Sequence, residues 1–286
     1  MKTTIRNFLD FIKDQKGSSE NTILAYQSDL AQLEEVLQKK LGREPKPVDI
    51  NPETIEAYTD WLAEKGYRPS TVARKIAAVR SYLDYLVRYE GLPDPGVSDF
   101  LQSEATPRRK PRILSEDEMN RLLQAPLQKK TARNLRDAAI LAVLFRTGLR
   151  AAELVSLQLE DVDRQQRQIL RSVGEYTLKL EDSSEILERY LVDGRPHLAR
   201  YPEENAVFLN QRGRQLSRQG LWLIVKRWAR KAGLGDDISP HTLRHSLAFS
   251  LLQDGHSRRE VQDVLGLSSP NSIRVLSKLD EEEDME

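Results

Sequence analysis

Ser239-Pro240-His241-Thr242-Leu243-Arg244-His245-Ser246 is the stretch that decides how this chain is read. In a helix beginning near Pro240, His241, Arg244 and His245 fall at i, i+3 and i+4 and share one face. The helix N-terminus adds partial positive charge and unpaired N–H groups. Such a surface suits a phosphodiester: Arg244 could take two phosphoryl oxygens in a fork, and His241 could donate a hydrogen bond or move a proton. His241 and His245 also have the spacing of metal ligands. No third ligand is evident, however, and Thr242 stands where the zinc-protease motif has glutamate, so neither a metal nor a cofactor is expected. His256, after Gly255 in a turn, reads as surface. Against the phosphate grip stands one fact: the last tyrosine is Tyr201, so no phenolic nucleophile follows this stretch.

A second run, Thr147-Gly148-Leu149-Arg150-Ala151-Ala152-Glu153-Leu154, points the same way. Gly148 permits a sharp turn, Arg150 emerges at the start of the next helix, and Glu153 can hold its guanidinium. Two separately anchored arginines would neutralise charge building on a phosphorus centre. Alone, an Arg–Glu pair at this spacing is an ordinary surface ion pair.

Working outward, 286 residues suffice for two domains. No apolar run reaches the roughly 18 residues that span a bilayer. The first residues lack a signal peptide's apolar segment. Without cysteine there is no disulfide framework or thiolate metal site, and a cytoplasmic location is expected. Lysine plus arginine equals aspartate plus glutamate at 44 each, but residues 280–286 hold six of the acids, leaving a mildly basic body. Any case for nucleic acid must therefore rest on local clusters.

The first hundred residues read as helices only. Ile23, Tyr26, Leu30, Leu33 and Leu37 form one three-four stripe; Val72, Ile76, Val79, Leu83, Leu86 and Val87 form another. On the second helix Arg74, Ser81 and Arg88 lie opposite the stripe, with Lys75 and Arg80 on its flanks. Shorter helices fit 4–14 and 52–65. Ala105-Thr106-Pro107-Arg108-Arg109-Lys110-Pro111-Arg112 cannot be helical, because two prolines and four like charges extend it. Ser115 with Glu118 then makes a capping box. Beyond it, helices are expected at 116–125, 132–147, 150–157, 183–193, 217–232, 241–254 and 258–265, with a short hairpin from Gln168–Val173 and Tyr176–Leu180 around Gly174-Glu175. The expected domains are 1–102, helical; 103–112, a basic linker; 113–279, mixed; and 280–286, an acidic tail.

Together the Thr-Gly-Leu-Arg-x-x-Glu-Leu run, Ser217-Arg218-Gln219-Gly220, the Ser239–Ser246 stretch and Val264-Leu265-Gly266 resemble the tyrosine recombinase (phage integrase) family, nearest to its Xer type. Ser19 through Tyr26 and Ser70 through Tyr85 resemble its SAM-like core-binding domain. The resemblance implies a mainly α fold with a small β-hairpin or sheet, in two domains that clamp a DNA duplex as a C. It places Arg150, Arg244 and His241 on the scissile phosphate, with a tyrosine forming a 3′-phosphotyrosyl link. A hairpin lysine would protonate the leaving oxygen, and a second histidine or tryptophan would complete the pocket.

The chain departs at the remaining positions. Leu267 stands for the second histidine and Leu276 for the nucleophile, while the shortened turn Val173–Leu178 leaves no lysine at its tip; Lys179 would fall on the strand. Loss of a general acid costs about 10²–10⁴ in rate, whereas loss of the nucleophile ends the covalent route. Ser272 or Ser277 would need repositioning and activation by a base to substitute, and Tyr176, close to the hairpin, is a conceivable substitute. The expected DNA contacts are Arg74, Lys75, Arg80 and Arg88; Arg108, Arg109, Lys110 and Arg112; and Arg218, Lys226 and Arg227. The implied function is a double-stranded-DNA-binding recombinase-type protein, deficient in cleavage, working with other protomers of its own or another kind. An active recombinase with an unusual nucleophile and an interaction module without DNA binding remain as alternatives.

Overall fold

An amphipathic helix is stable only where another surface covers its apolar stripe. The computed structural model, which describes residues 1–15, 18, 20–102, 111–170 and 177–266, supplies those surfaces within two compact units, Met1–Arg108 and Arg109–Glu286.

The first unit is built from α1 (Lys2–Asp14), α2 (Glu20–Leu41), α3 (Pro52–Glu64) and α4 (Pro69–Tyr89). Leu30, Leu33 and Leu37 of α2 meet Ile76, Val79 and Leu86 of α4 in one core, with Phe8, Tyr58 and Tyr82 fully enclosed. Proline opens both α3 and α4, where a missing N–H costs nothing. Asn51 and Thr54 also cap α3 reciprocally, each backbone N–H donating to the other's side chain at 3.0 and 3.1 Å.

Lys75 requires a correction. Instead of flanking the core it is buried, donating to Asp29 at 2.9 Å and lying 5.0 Å from the centre of the Tyr67 ring. Asp29 is itself buried on α2 and also pairs with Arg74. A buried carboxylate must be matched by cations, and α4 supplies two.

The second unit runs α5 (Glu116–Gln124), α6 (Ala132–Thr147), α7 (Ala151–Ser156), β1 (Val162–Asp163), β2 (Gln168–Leu170), β3 (Thr177–Lys179), α8 (Ser183–Arg189), α9 (Arg195–Leu198), α10 (Arg218–Lys231), α11 (Pro240–Gln253) and α12 (Arg258–Leu265). Ser115 and Glu118 form the expected capping box on α5. Apolar on nearly every side, α6 is the central helix, and Ile140, Val143 and Leu144 join Tyr190, Phe208, Val225, Trp228 and Leu243 in the core. The three strands pair antiparallel in the order β1-β2-β3, with buried Ile169 opposite buried Leu178. The hairpin expected across 168–180 is thus present in its strands, while 171–176 lie outside the described residues. The two residues of β1 are too few to show a period of two.

The helix expected over 183–193 changes character at Tyr190. A π-helical turn, Tyr190–Gly194, leads into α9, with Arg195 N–H bonded to the Tyr190 carbonyl. Pro196 has no N–H to offer the Val192 carbonyl, so the regular ladder could not continue there. Tyr190 stacks on Phe208 with ring centres 5.7 Å apart and donates its hydroxyl to Val207 O at 3.0 Å.

One charge network lies inside this unit. Asp137 is fully buried; one carboxylate oxygen accepts from Arg136 Nε and Nη2 at 2.9 and 2.8 Å, the other from Trp228 Nε1 at 2.8 Å and from Arg227. Arg136 also donates to Leu209 O at 2.8 Å. It ties α6 to α10 and to the segment before α10. Among the described residues no helix is long and apolar enough to cross a membrane.

Candidate phosphate-binding site

The site grows from the end of α6. Thr147 Oγ1 donates to Val143 O at 2.6 Å and accepts from Leu149 N at 3.3 Å, closing the last turn. Gly148 then adopts φ of 60°, a left-handed conformation that costs glycine nothing. A Cβ at this position would also overlap Leu265 Cδ2 and come within 3.0 Å of Leu247 Cδ2. The turn aims Arg150 out as the N-cap of α7. Its backbone N–H donates to Glu153 Oε2 at 2.7 Å, and its Nη1 lies 3.3 Å from Glu153 Oε1, the anchoring expected from the spacing.

Arg244 arrives from α11. Ser239 caps this helix reciprocally with Thr242 at 3.0 and 3.3 Å, and Ser246, one turn beyond Thr242, accepts from Leu114 N at 2.9 Å. Arg244 is buried, only 7% exposed. Its Nη1 donates to Gly148 O, and its Nη2 donates to Leu265 O at 2.6 Å. The next carbonyl along, Gly266 O, accepts from Arg150 Nη2 at 2.8 Å. Two arginines far apart in sequence therefore meet at consecutive carbonyls on the C-terminal turn of α12.

His241 occupies the turn of α11 before Arg244 and is exposed. His245, half-buried behind it, has its ring centre 6.3 Å from that of His241. Burial, followed by the charges of His241 and Arg244, holds the His245 imidazole below the usual histidine range. The chemistry on offer is electrostatic: two guanidiniums bound to consecutive carbonyls, with an imidazole at the surface one turn before Arg244, suit an oxyanion that accepts hydrogen bonds from both. His256, following Gly255 at φ of 85°, is exposed as expected.

The other expected positions are distributed unevenly. Arg80, Arg88 and Arg218 are exposed. Arg74 is partly exposed but pairs with Asp29, and Arg227 pairs with Asp137. Lys226 donates to Asp236 O and sits 5.0 Å from the centre of the Trp222 ring. Arg112 is drawn to Glu118, whose carboxyl it holds below the usual range, and to Asp237 at 3.5 Å. Lys179 ends β3 on its exposed side. Leu267, Leu276, Ser272, Ser277, Tyr176, Arg108, Arg109, Lys110 and the acidic run 280–286 lie outside the described residues.

Sequence reasoning missed the carbonyls that orient the arginines, because backbone groups leave no residue signature. It also missed Asp29 and Asp137. For Asp29 a signal existed: an acid between Tyr26 and Leu33 sits on the apolar stripe itself.

Comparison with known proteins agrees with this architecture. Residues 5–90 match the phage integrase N-terminal SAM-like domain and residues 112–283 match the phage integrase family. The tyrosine recombinase XerC of Roseiflexus sp. (strain RS-1) is 35% identical over 98% of this chain and 90% of its own. The tyrosine recombinase XerD of Halalkalibacterium halodurans is 34% identical over 96% of this chain and 92% of its own. Among solved structures, the XerH site-specific recombinase bound to palindromic difH substrate superposes with a TM-score of 0.68 at 20% identity, covering 98% of this chain and 92% of that one. With both domains matched and relatives aligned almost end to end, the chain belongs to the phage integrase family of tyrosine recombinases.

Proposed function

We propose that this protein binds double-stranded DNA and takes part in site-specific recombination, or occupies a chromosomal site, without cleaving a strand itself. The observation that carries the reading is the meeting of Arg150 and Arg244 at one helix end, in a chain whose nucleophile position falls on Leu276. The arginines suit a backbone phosphate; a leucine has no lone pair with which to attack it. Names of the relatives support the recombination context: they are tyrosine recombinases, and XerH is bound to its difH substrate.

On this reading Arg150, Arg244 and His241 hold the phosphate. Exposed Arg80, Arg88 and Arg218 supply sequence-independent affinity, joined by the basic segment Arg108-Arg109-Lys110. A cleaving protomer of another recombinase chain provides the nucleophile for its own strand. Action on DNA sets the protein in the cytoplasm, at the nucleoid, with the helical first domain and the mixed second domain both contacting the duplex.

The test uses duplexes carrying a nick beside the candidate phosphate, which trap any covalent intermediate. The expected result is a salt-sensitive complex with no covalent protein–DNA band. A covalent band mapped to one residue would overturn the cleavage-deficient reading. Binding indifferent to salt, or none, would overturn the DNA-binding one.

A further inference from the structure

Two guanidiniums brought side by side repel each other, and each sits at the end of a long side chain with much rotamer freedom to lose. A grip made of two arginines therefore needs a third element to hold them at a fixed separation. The usual holders are carboxylates. Glu153 serves Arg150 from one side, through its 3.3 Å contact with Nη1. Among the described residues, the consecutive carbonyls of Leu265 and Gly266 hold one arginine each, Arg244 and Arg150 in turn.

These carbonyls close α12. The last carbonyls of a helix lack intrahelical partners and carry its partial negative charge, so they attract guanidiniums. Gly266 has φ of 58°, in the left-handed region, and this reversal sends two successive carbonyls to two different arginines. The placement of that turn is itself fixed by packing. Val261 and Leu265 are buried against Leu247 and Ala248 of α11, and Leu265 fills the space left open by the missing Cβ of Gly148. One leucine thus sits at the junction of all three pieces: the turn bearing Arg150, the helix bearing Arg244, and the carbonyl pair between them.

We propose that the C-terminal turn of α12 sets the geometry of the phosphate grip, with Leu265 and Gly266 as its positioning residues. They act through Arg150 and Arg244, so the grip exists only while α12 is docked. This rests on reading the two arginines as a phosphate site.

The experiment uses the full chain labelled with ¹⁵N-arginine and inorganic phosphate as the probe, with the Arg150 and Arg244 side-chain signals assigned from Arg150→Lys and Arg244→Lys. In the parent protein both signals shift together along one binding curve. Leu265→Ala lowers phosphate affinity about tenfold, the equivalent of losing one charge-assisted bond, and separates the two responses. Leu265→Met, which conserves volume, restores both. Gly266→Val, which resists the left-handed conformation, withdraws the carbonyl from Arg150 and silences that signal first. Phosphate affinity within twofold of the parent in both Leu265→Ala and Gly266→Val would overturn the proposal. A parent protein that binds DNA with steep salt dependence, yet shows no phosphate response at either arginine, would instead sink the grip beneath it.

Discussion

Truncation of Arg244 to alanine measures how far this side chain has become structural. At 7% exposure its bonds are shielded from solvent, so little discount for screening applies. It donates to Gly148 O and to Leu265 O, tying the turn after α6 to the end of α12. Each hydrogen bond to a charged group contributes about 1.5–3 kcal/mol, and truncation leaves both carbonyls searching for a donor, so the loss of the two comes to about 3–6 kcal/mol. The loss falls on α12, which among the described residues is otherwise held by the Arg150 bond to Gly266 O and by a small cluster of Leu247, Ala248, Val261 and Leu265, with Ile113, Phe145, Leu251 and Leu252 packed against it. Native-state hydrogen exchange reads it directly. Amides of Val261 through Leu265 should exchange more than about a hundredfold faster in Arg244→Ala, since every 1.4 kcal/mol is a factor of about ten. Arg244→Lys, able to reach one carbonyl, should lose about half as much free energy. The helices of the first unit serve as internal control and should not change. Exchange in α12 within threefold of the parent would refute the reasoning.

Four further outcomes follow from the same geometry. Gly148→Ala forces alanine into a left-handed turn and against Leu265, at a cost of about 2–3 kcal/mol, visible as a lower melting temperature; an unchanged one would contradict the packing. Asp137→Asn strands the buried Arg136 charge and should remove about 3–5 kcal/mol, read from the urea midpoint of the second unit's transition, whereas a loss under 1 kcal/mol would deny the network its role. Replacing exposed Arg80 or Arg218 with glutamine should lower the salt dependence of DNA binding by about one counterion each, while Lys75→Gln should leave it unchanged and weaken the fold, because Lys75 is buried on Asp29. Finally, the His245 pKa is depressed in the folded state, so the unfolded chain takes up its proton first as pH falls. Stability is full above the ordinary histidine value of about 6.5 and declines as pH drops through it; His245→Gln should flatten that decline, and an unaltered profile would exclude His245 as its source.

Much of this molecule was legible residue by residue. The stripes on α2 and α4, the capping box at Ser115, the turn at Gly148 and the Arg150–Glu153 pair are all where local pattern puts them. Each depends on neighbours within one or two turns, the range over which side-chain spacing carries information. The π-helical turn at Tyr190 was less accessible, although Pro196 marked the place where a regular helix had to change. Lys75 was misread for a definable reason: a lysine at the edge of an apolar stripe is ordinarily solvated, and only the partner helix shows that an aspartate waits opposite it.

What the sequence determined by itself was the inventory and its order: helices followed by a mixed domain, and two arginines and a histidine spaced along the second domain with no tyrosine after Tyr201. Tertiary structure decided what those groups do to one another. Arg244 reaches Gly148 across 96 residues and Arg150 reaches Gly266 across 116. Both contacts end on backbone carbonyls, which every residue carries alike, so only folding could select which ones the arginines would meet.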